Sequence, residues 1–195
     1  MGILNALKGG GLRSPRSIRH KGKRLSDILQ AHAEFVTGNL KGARADLAEA
    51  DLSRANLERA NLTYADLRGA NLERANLREA KLGSADLSKA RLQKADLRKA
   101  DLTEANASGA DLAEAQVGGA ELFRADLRRA VLRRADFGAT NFRDADISGA
   151  DFEGASLKTA ILRETKLDGV DLSRADISTA LLPRGYAARG QASNS

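Results

Sequence analysis

Residues 45–64 read Ala45-Asp46-Leu47-Ala48-Glu49, Ala50-Asp51-Leu52-Ser53-Arg54, Ala55-Asn56-Leu57-Glu58-Arg59, Ala60-Asn61-Leu62-Thr63-Tyr64. The same five-residue phrase continues to Leu182, giving 28 centres without an insertion. The centre is Leu except at Ala107, Val117, Phe137, Phe142, Ile147, Phe152 and Ile177. The residue two before it is Ala except at Thr140, Thr165 and Val170. An α-helix turns about 100° per residue, so a period of five would walk the Leu around its axis and build no apolar face. A flat strand fails as well, because successive centres would point to opposite sides. The Ala and Leu of one unit lie two apart and share a side in extended chain. The three-residue step to the next Ala must therefore hold a corner that turns the chain back inward. Extended legs joined by corners, repeated, predict a β-solenoid whose legs pair with the coils above and below. Gly69, Gly109, Gly119, Gly149, Gly154 and Gly169 occupy the fifth position, where a corner can need positive φ.

Periodicity leaves the number of legs per coil open. The run from Ala45 resembles the pentapeptide-repeat family, with its A(D/N)LXX motif, over roughly seven-tenths of the chain. That resemblance implies an all-β fold, a right-handed quadrilateral β-helix with four units per coil. The 28 units then make about seven four-sided coils, about 34 Å tall at the inter-strand spacing. Residues 20 apart share a wall.

Four segments follow. Residues 1–24 hold Gly9-Gly10-Gly11, Pro15 and a run of basic residues (Lys8, Arg13, Arg16, Arg19, Lys21, Lys23, Arg24) and read as a disordered basic leader, in which Ile3, Leu4 and Leu7 make at most an amphipathic turn or two. Residues 25–44 hold Leu25, Ile28, Leu29, His32, Phe35 and Val36 at helical spacing, with Ser26 as N-cap and Gly38 as stop. So short a helix must lie on something, and the first coil exposes an apolar end. It is therefore expected to cap the solenoid, and it is similar to leader helices of some bacterial members of the family. Residues 45–182 form the solenoid. Residues 183–195, interrupted by Pro183, Gly185 and Gly190, form a flexible tail that leaves the last coil uncovered.

Composition bounds the chemistry. The 195 residues contain no Cys or Trp, so there is no disulfide framework and no thiolate chemistry. No stretch approaches 18 apolar residues and no apolar run follows the basic N-terminus, which points to a cytoplasmic location. Ala6 stands where a myristoylation signal wants Ser or Thr. Nine of the 32 basic residues precede residue 45, against Asp27 and Glu34 alone. The repeat block carries 21 basic and 24 acidic residues, a balance of −3.

Catalysis finds no footing. His20 falls in the leader and His32 on the cap helix, so no His pair serves the solenoid. The Asp before each Leu alternates with Asn (Asn56, Asn61, Asn71, Asn76), which indicates hydrogen bonding to backbone rather than acid–base work or calcium binding. Nothing in the pattern asks for a cofactor or a metal, and no phosphate loop or nucleophile elbow occurs.

The walls carry the remaining signals. Arg54, Arg74, Lys94, Arg134 and Arg174 line up on one, beside Arg91 and Arg133 and interrupted by Glu73, Glu114 and Glu153. Such a ladder suits a nucleic-acid backbone but lacks interleaved aromatics. Another wall turns Tyr64, Phe123, Ile161, Leu181 and Pro183 outward, as a self-association surface would, making a homodimer through the C-terminal coil a candidate. The leading expectation is a non-enzymatic scaffold presenting a rigid wall to an unidentified protein partner. One alternative is a basic leader tethering the rod to nucleic acid or an anionic membrane. Another is the family's best-known activity, DNA mimicry toward gyrase that protects against quinolones; it needs a strongly negative rod, which a balance of −3 does not provide.

Overall fold

A computed structural model describes residues 11–186 of the protein. Parallel bridges join units twenty residues apart, from Asp46↔Asp66 to Ile161↔Leu181, with a break between Asp151 and Asp171. Four five-residue legs therefore complete each turn of a square coil. Each leg is so short that it pairs through a single residue at the Asp/Asn slot. Two backbone bonds flank that slot: the centre N–H donates upward (Leu47 to the Asp66 carbonyl, 2.7 Å) and the slot N–H donates downward (Asp66 to the Ala45 carbonyl, 2.9 Å).

Corners explain the rest of the unit. The N–H of Ala50 closes a turn onto the Leu47 carbonyl at 3.1 Å, and this bond recurs along the coil. The fifth residue takes positive φ whether or not it is Gly, Arg174 excepted: Glu49 at 60°, Arg129 at 57°, Gly149 at 67°. Positive φ at the third residue of a four-residue turn is the type II arrangement. The Asp/Asn oxygen accepts the N–H two residues on, as Asp51 does from Ser53 (3.1 Å) and Asn56 from Glu58 (3.3 Å). Either side chain supplies that oxygen, which accounts for their interchange. Thr159 and Thr179 are β-branched residues held at φ 56° and 61°, a region such residues rarely enter. Thr159→Gly is expected to raise stability by about 1 kcal/mol, read as a higher urea midpoint. An unchanged or lower midpoint would mean that the corner is not strained.

The core is a column of Leu with Ala beside it, nearly all fully buried. Where the Ala slot holds Thr, the hydroxyl turns to backbone: Thr140 donates to the Val117 carbonyl (3.0 Å) and Thr165 to that of Phe142 (2.7 Å). Phe137, Phe142 and Phe152 cluster in the C-terminal half, with ring centroids 5.3–6.3 Å apart.

The N-terminal end differs from expectation. Of the segment expected to be disordered, residues 11–24 pack against the solenoid, because backbone pairing and one buried side chain outweigh their polar composition. Arg13 extends the ladder below the first coil: its N–H donates to the Arg54 carbonyl and its carbonyl accepts from Asn56. Strands β1 (Arg19–His20) and β2 (Lys23–Arg24) form a hairpin around Lys21 and Gly22, both at positive φ, as a type I′ turn requires. Ile18 is buried before it and Leu25 after it. Helix α1 (Leu25–Val36) then lies on the first coil. Its N-cap is Arg24 rather than Ser26, because the hairpin holds Arg24 extended, and the Ser26 hydroxyl bonds Asp27 instead. Gly38, at φ 79°, follows the helix end as expected. At the other end Tyr186 packs partly over the last coil, so the tail covers more than expected. Lys8, the Ile3–Leu7 turn and residues 187–195 lie outside the described residues.

Candidate functional site

Chemistry needs converging groups, and the solenoid spreads its polar side chains over four flat walls. Among the described residues no His/Cys/Asp/Glu cluster could hold a metal, and no helix is long and apolar enough to cross a membrane. A shallow groove lies beside Lys89, Arg128 and Arg129 on the wall of Leu47.

The basic column lies on the wall of Leu52, and the structure pairs most of it with carboxylates. Glu73 sits between Arg74 (3.6 Å) and Arg91 (3.8 Å). Lys94 faces Glu114 at 3.5 Å. Arg174 meets Glu153 at 2.5 Å, and Arg133 bridges Asp151 and Glu153. Arg134 makes no ion pair among the described residues and lays its stem against Gly154, where an added Cβ would stand 3.3 Å from its Cγ. Arg54 instead lays its guanidinium over Gly11, where an added Cβ would stand 2.0 Å from Nη2. Arg13, read as leader electrostatics, is bonded to Asp51 (2.9 Å) and Ser53 at the foot of this wall. Seven basic and seven acidic residues lie on the outer slots of this wall, so it is neutral in sum. Exposed pairs of this kind add little stability, but they remove the uncompensated charge that a polyanion would need.

Elsewhere an Asp-Leu-Arg phrase makes a local fork. In Asp66/Arg68 and Asp126/Arg128 the guanidinium holds both carboxylate oxygens, at 2.6–3.1 Å. These bonds hold the Asp66 and Asp126 carboxyls below the usual carboxylate range.

The apolar residues belong to the wall of Leu62, and the structure brings only two of them together. Ile161 and Leu181 are bridge partners in adjacent coils, with Leu181 43% exposed. Phe123 lies half-buried beneath the Arg124 guanidinium, 4.8 Å from its centroid. Tyr64, 53% exposed, belongs to the first coil, about 24 Å along the rod from Ile161.

His32, read from the sequence as a packed or hydrogen-bonded residue of the cap helix, makes one contact that joins the cap to the solenoid. His32 is fully buried, and its Nδ1 accepts the Ala45 N–H at 3.0 Å, tying α1 to the first residue of the solenoid. An accepting Nδ1 makes the ring neutral, with its proton on Nε2. Burial pushes its pKa below 6.5; the Thr63 backbone acts the other way and the Arg44 charge adds to the lowering. A His depressed in the fold stays neutral while the unfolded chain takes up a proton, so stability is full above about pH 6.5 and falls as pH drops through and below that value. Amides of α1 are expected to exchange faster at about pH 5.5 than at about pH 7.5, after correction for intrinsic rates, and His32→Gln should remove the difference. Equal protection at both pH values would rule out this latch. Its sequence signal was a His at i−3 from Phe35, which stacks on it at 5.8 Å.

The family model for pentapeptide repeats matches in eight copies, over residues 43–78, 80–116, 120–158 and 149–182. Among solved structures the chain is similar to HetL, a pentapeptide repeat protein involved in heterocyst differentiation regulation from the cyanobacterium Nostoc sp. strain PCC 7120. They share 33% identity over 72% of this chain and 78% of HetL, with a TM-score of 0.35. A pentapeptide repeat protein from the Arabidopsis thaliana thylakoid lumen is 33% identical over 51% of this chain and 66% of its own, with a TM-score of 0.42. QnrB1, a plasmid-mediated fluoroquinolone resistance protein, is 18% identical over 72% and 87%, with a TM-score of 0.32. No curated protein matches the chain.

Proposed function

This chain belongs to the pentapeptide repeat family, and from that premise we propose that it is a non-enzymatic scaffold, a right-handed square rod whose wall is gripped by a protein partner. The 28 units at four per turn give it seven coils, about 34 Å of rigid surface. One observation carries the proposal. Along the wall of Leu62 the slot that accepts the corner N–H where it holds Asp or Asn is filled by Ile161 and Leu181 in successive coils. The Ile161 corner thereby gives up the bond from the Arg163 N–H, and at the Leu181 corner Pro183 has no N–H to offer. Leu181 stays 43% exposed there, so a protein surface laid against the pair gains the burial that the fold does not supply.

The same pair lies beside the last coil, whose Leu167, Ile177 and Leu182 remain partly exposed. A second copy is one occupant this end would suit. Helix α1 covers the opposite end, so such pairing would be tail to tail and closed rather than fibrous. DNA mimicry is not the function proposed: a repeat block at −3 with a neutralised basic column does not imitate a duplex, and 18% identity does not carry the role of QnrB1 across.

The test combines solution mass with a photo-crosslinker at Ser178, on the neighbouring wall of the last coil. A wild-type dimer made monomeric by Ile161→Asp with Leu181→Asp supports the second copy. A monomer whose saturable crosslink to one protein is lost in that variant supports a different partner. A monomer with no crosslink, or one indifferent to the variant, would overturn the scaffold proposal for this wall.

A further inference from the structure

Charge is distributed unevenly along the rod. Residues 11–44 hold eight basic residues against Asp27 and Glu34, while the walls above them are nearly neutral. Two of the eight are tied down: Arg13 on Asp51 and Lys21 on Asp46. Arg16, Arg19, Lys23, Arg24, Lys41 and Arg44 are exposed and form no ion pair among the described residues. Arg16 lies in the turn before the hairpin, Arg19, Lys23 and Arg24 in the hairpin, and Lys41 and Arg44 in the loop after α1.

The loop after α1 adds the second feature. It folds back on the helix through three backbone bonds: Gly38 to the Phe35 carbonyl, Asn39 to that of Glu34, and Ala43 to that of Ala31. Gly42 is pressed so closely on the helix end that a Cβ there would stand 2.0 Å from the Phe35 nitrogen. The loop is thus built, and it carries Leu40, 102% exposed, with Lys41 next to it and Phe35 37% exposed on the helix behind. A leucine fixed in water at the tip of a braced loop, with Lys41 next to it in the chain, does nothing for the cap.

We propose that this capped end docks on an anionic lipid bilayer, with Leu40 entering the interface and Lys41, Arg44 and the hairpin cations facing the headgroups. Each Lys or Arg near such a surface is attracted to it, and an aliphatic side chain gains by leaving water among acyl chains. A nucleic-acid backbone would satisfy the cations but has no place for an aliphatic tip, which is why the bilayer is favoured. This surface lies on the cap and is independent of the Ile161/Leu181 wall, so either proposal can fail without the other.

The test uses the full chain. It contains no Trp, so Leu40→Trp supplies a unique reporter. Its emission is expected to shift blue with phosphatidylcholine vesicles holding about 30 mol% phosphatidylglycerol, and to be quenched by brominated acyl chains. Pure phosphatidylcholine should give no shift, and about 0.5 M salt should abolish the response. Leu40→Asp, at a fully exposed position, should leave thermal unfolding unchanged and lower vesicle partitioning at least about tenfold. Salt-sensitive partitioning that Leu40→Asp does not alter would overturn the insertion. Absence of vesicle binding beside tight binding to a short DNA duplex would assign the end to nucleic acid instead, and binding to neither would leave the basic end without this role.

Discussion

Truncating Phe142 to Ala is expected to lower the free energy of unfolding by about 3–5 kcal/mol, a large share of what holds a domain of this size together. Phe142 is fully buried and meets Phe137 at 5.3 Å and Phe152 at 6.3 Å, so the truncation leaves a hole lined by two rings. The coil cannot collapse onto that hole, because each leg is pinned above and below; the Phe142 N–H itself donates to the Ile161 carbonyl at 2.8 Å. A solenoid is held by nearest-neighbour contacts, so the damage should be local. Amides from Phe142 to Leu182 should lose protection in hydrogen exchange, while those around Leu57 and Leu77 keep theirs. A loss below about 1 kcal/mol would mean that the aromatic cluster is loosely packed.

A second large effect separates one residue from twenty. Deleting residues 101–120 removes one complete turn and brings Glu121 into the slot of Asp101, its own bridge partner. The shorter rod should still unfold cooperatively, with little change in midpoint. Deleting Gly119 alone moves Glu121 into the inward slot of Ala120 and Leu122 out to solvent, and the slip repeats in every later unit. Burying a carboxylate without a partner in so narrow a coil costs several kcal/mol. The coils beyond residue 119 are expected to lose their β signal in far-ultraviolet circular dichroism. If the single deletion and the twenty-residue deletion behave alike, the inward pattern does not set the register.

The interior of this protein was legible in its sequence because sterics write it there. Only Leu, Phe, Ile, Val or Ala fits a centre, and only a small residue fits beside it, so every unit repeats the same statement. The corners were legible in part. Gly at the fifth position pointed to positive φ, but Arg, Lys and Glu take the same conformation there, held by the ladder on either side. The cap helix showed through the spacing of Leu25, Ile28, Leu29 and His32. Its start did not, because Ser26 looked like a cap while Arg24 was fixed by strand pairing with Arg19. Residues 11–24 were misread for the same reason: a run as polar as Arg19-His20-Lys21-Gly22-Lys23-Arg24 carries no sign that Ile18 and Leu25 bracket it into the core.

The outer surface was legible only as columns. The sequence showed Arg54, Arg74, Lys94, Arg134 and Arg174 in line and Glu73, Glu114 and Glu153 among them. It did not show which cation each carboxylate meets, since those contacts depend on side-chain reach between coils. Tyr64 and Ile161 shared a wall in sequence yet stand at opposite ends of it. Leu40 drew no notice, being one apolar residue between two Gly, where period and composition both fall silent.

Every wall named above depends on four units making one turn, and a distance measures that directly. The chain has no Cys, so Ala48→Cys with Ser148→Cys places two spin labels on the wall of Leu47 and nowhere else. The two sites are a hundred residues apart, which is five coils at four units each, and their separation by pulsed electron resonance should peak near about 24 Å. Three units per turn would put them on different walls at about 32 Å along the rod, and a peak there would contradict the square coil and every surface assigned from it.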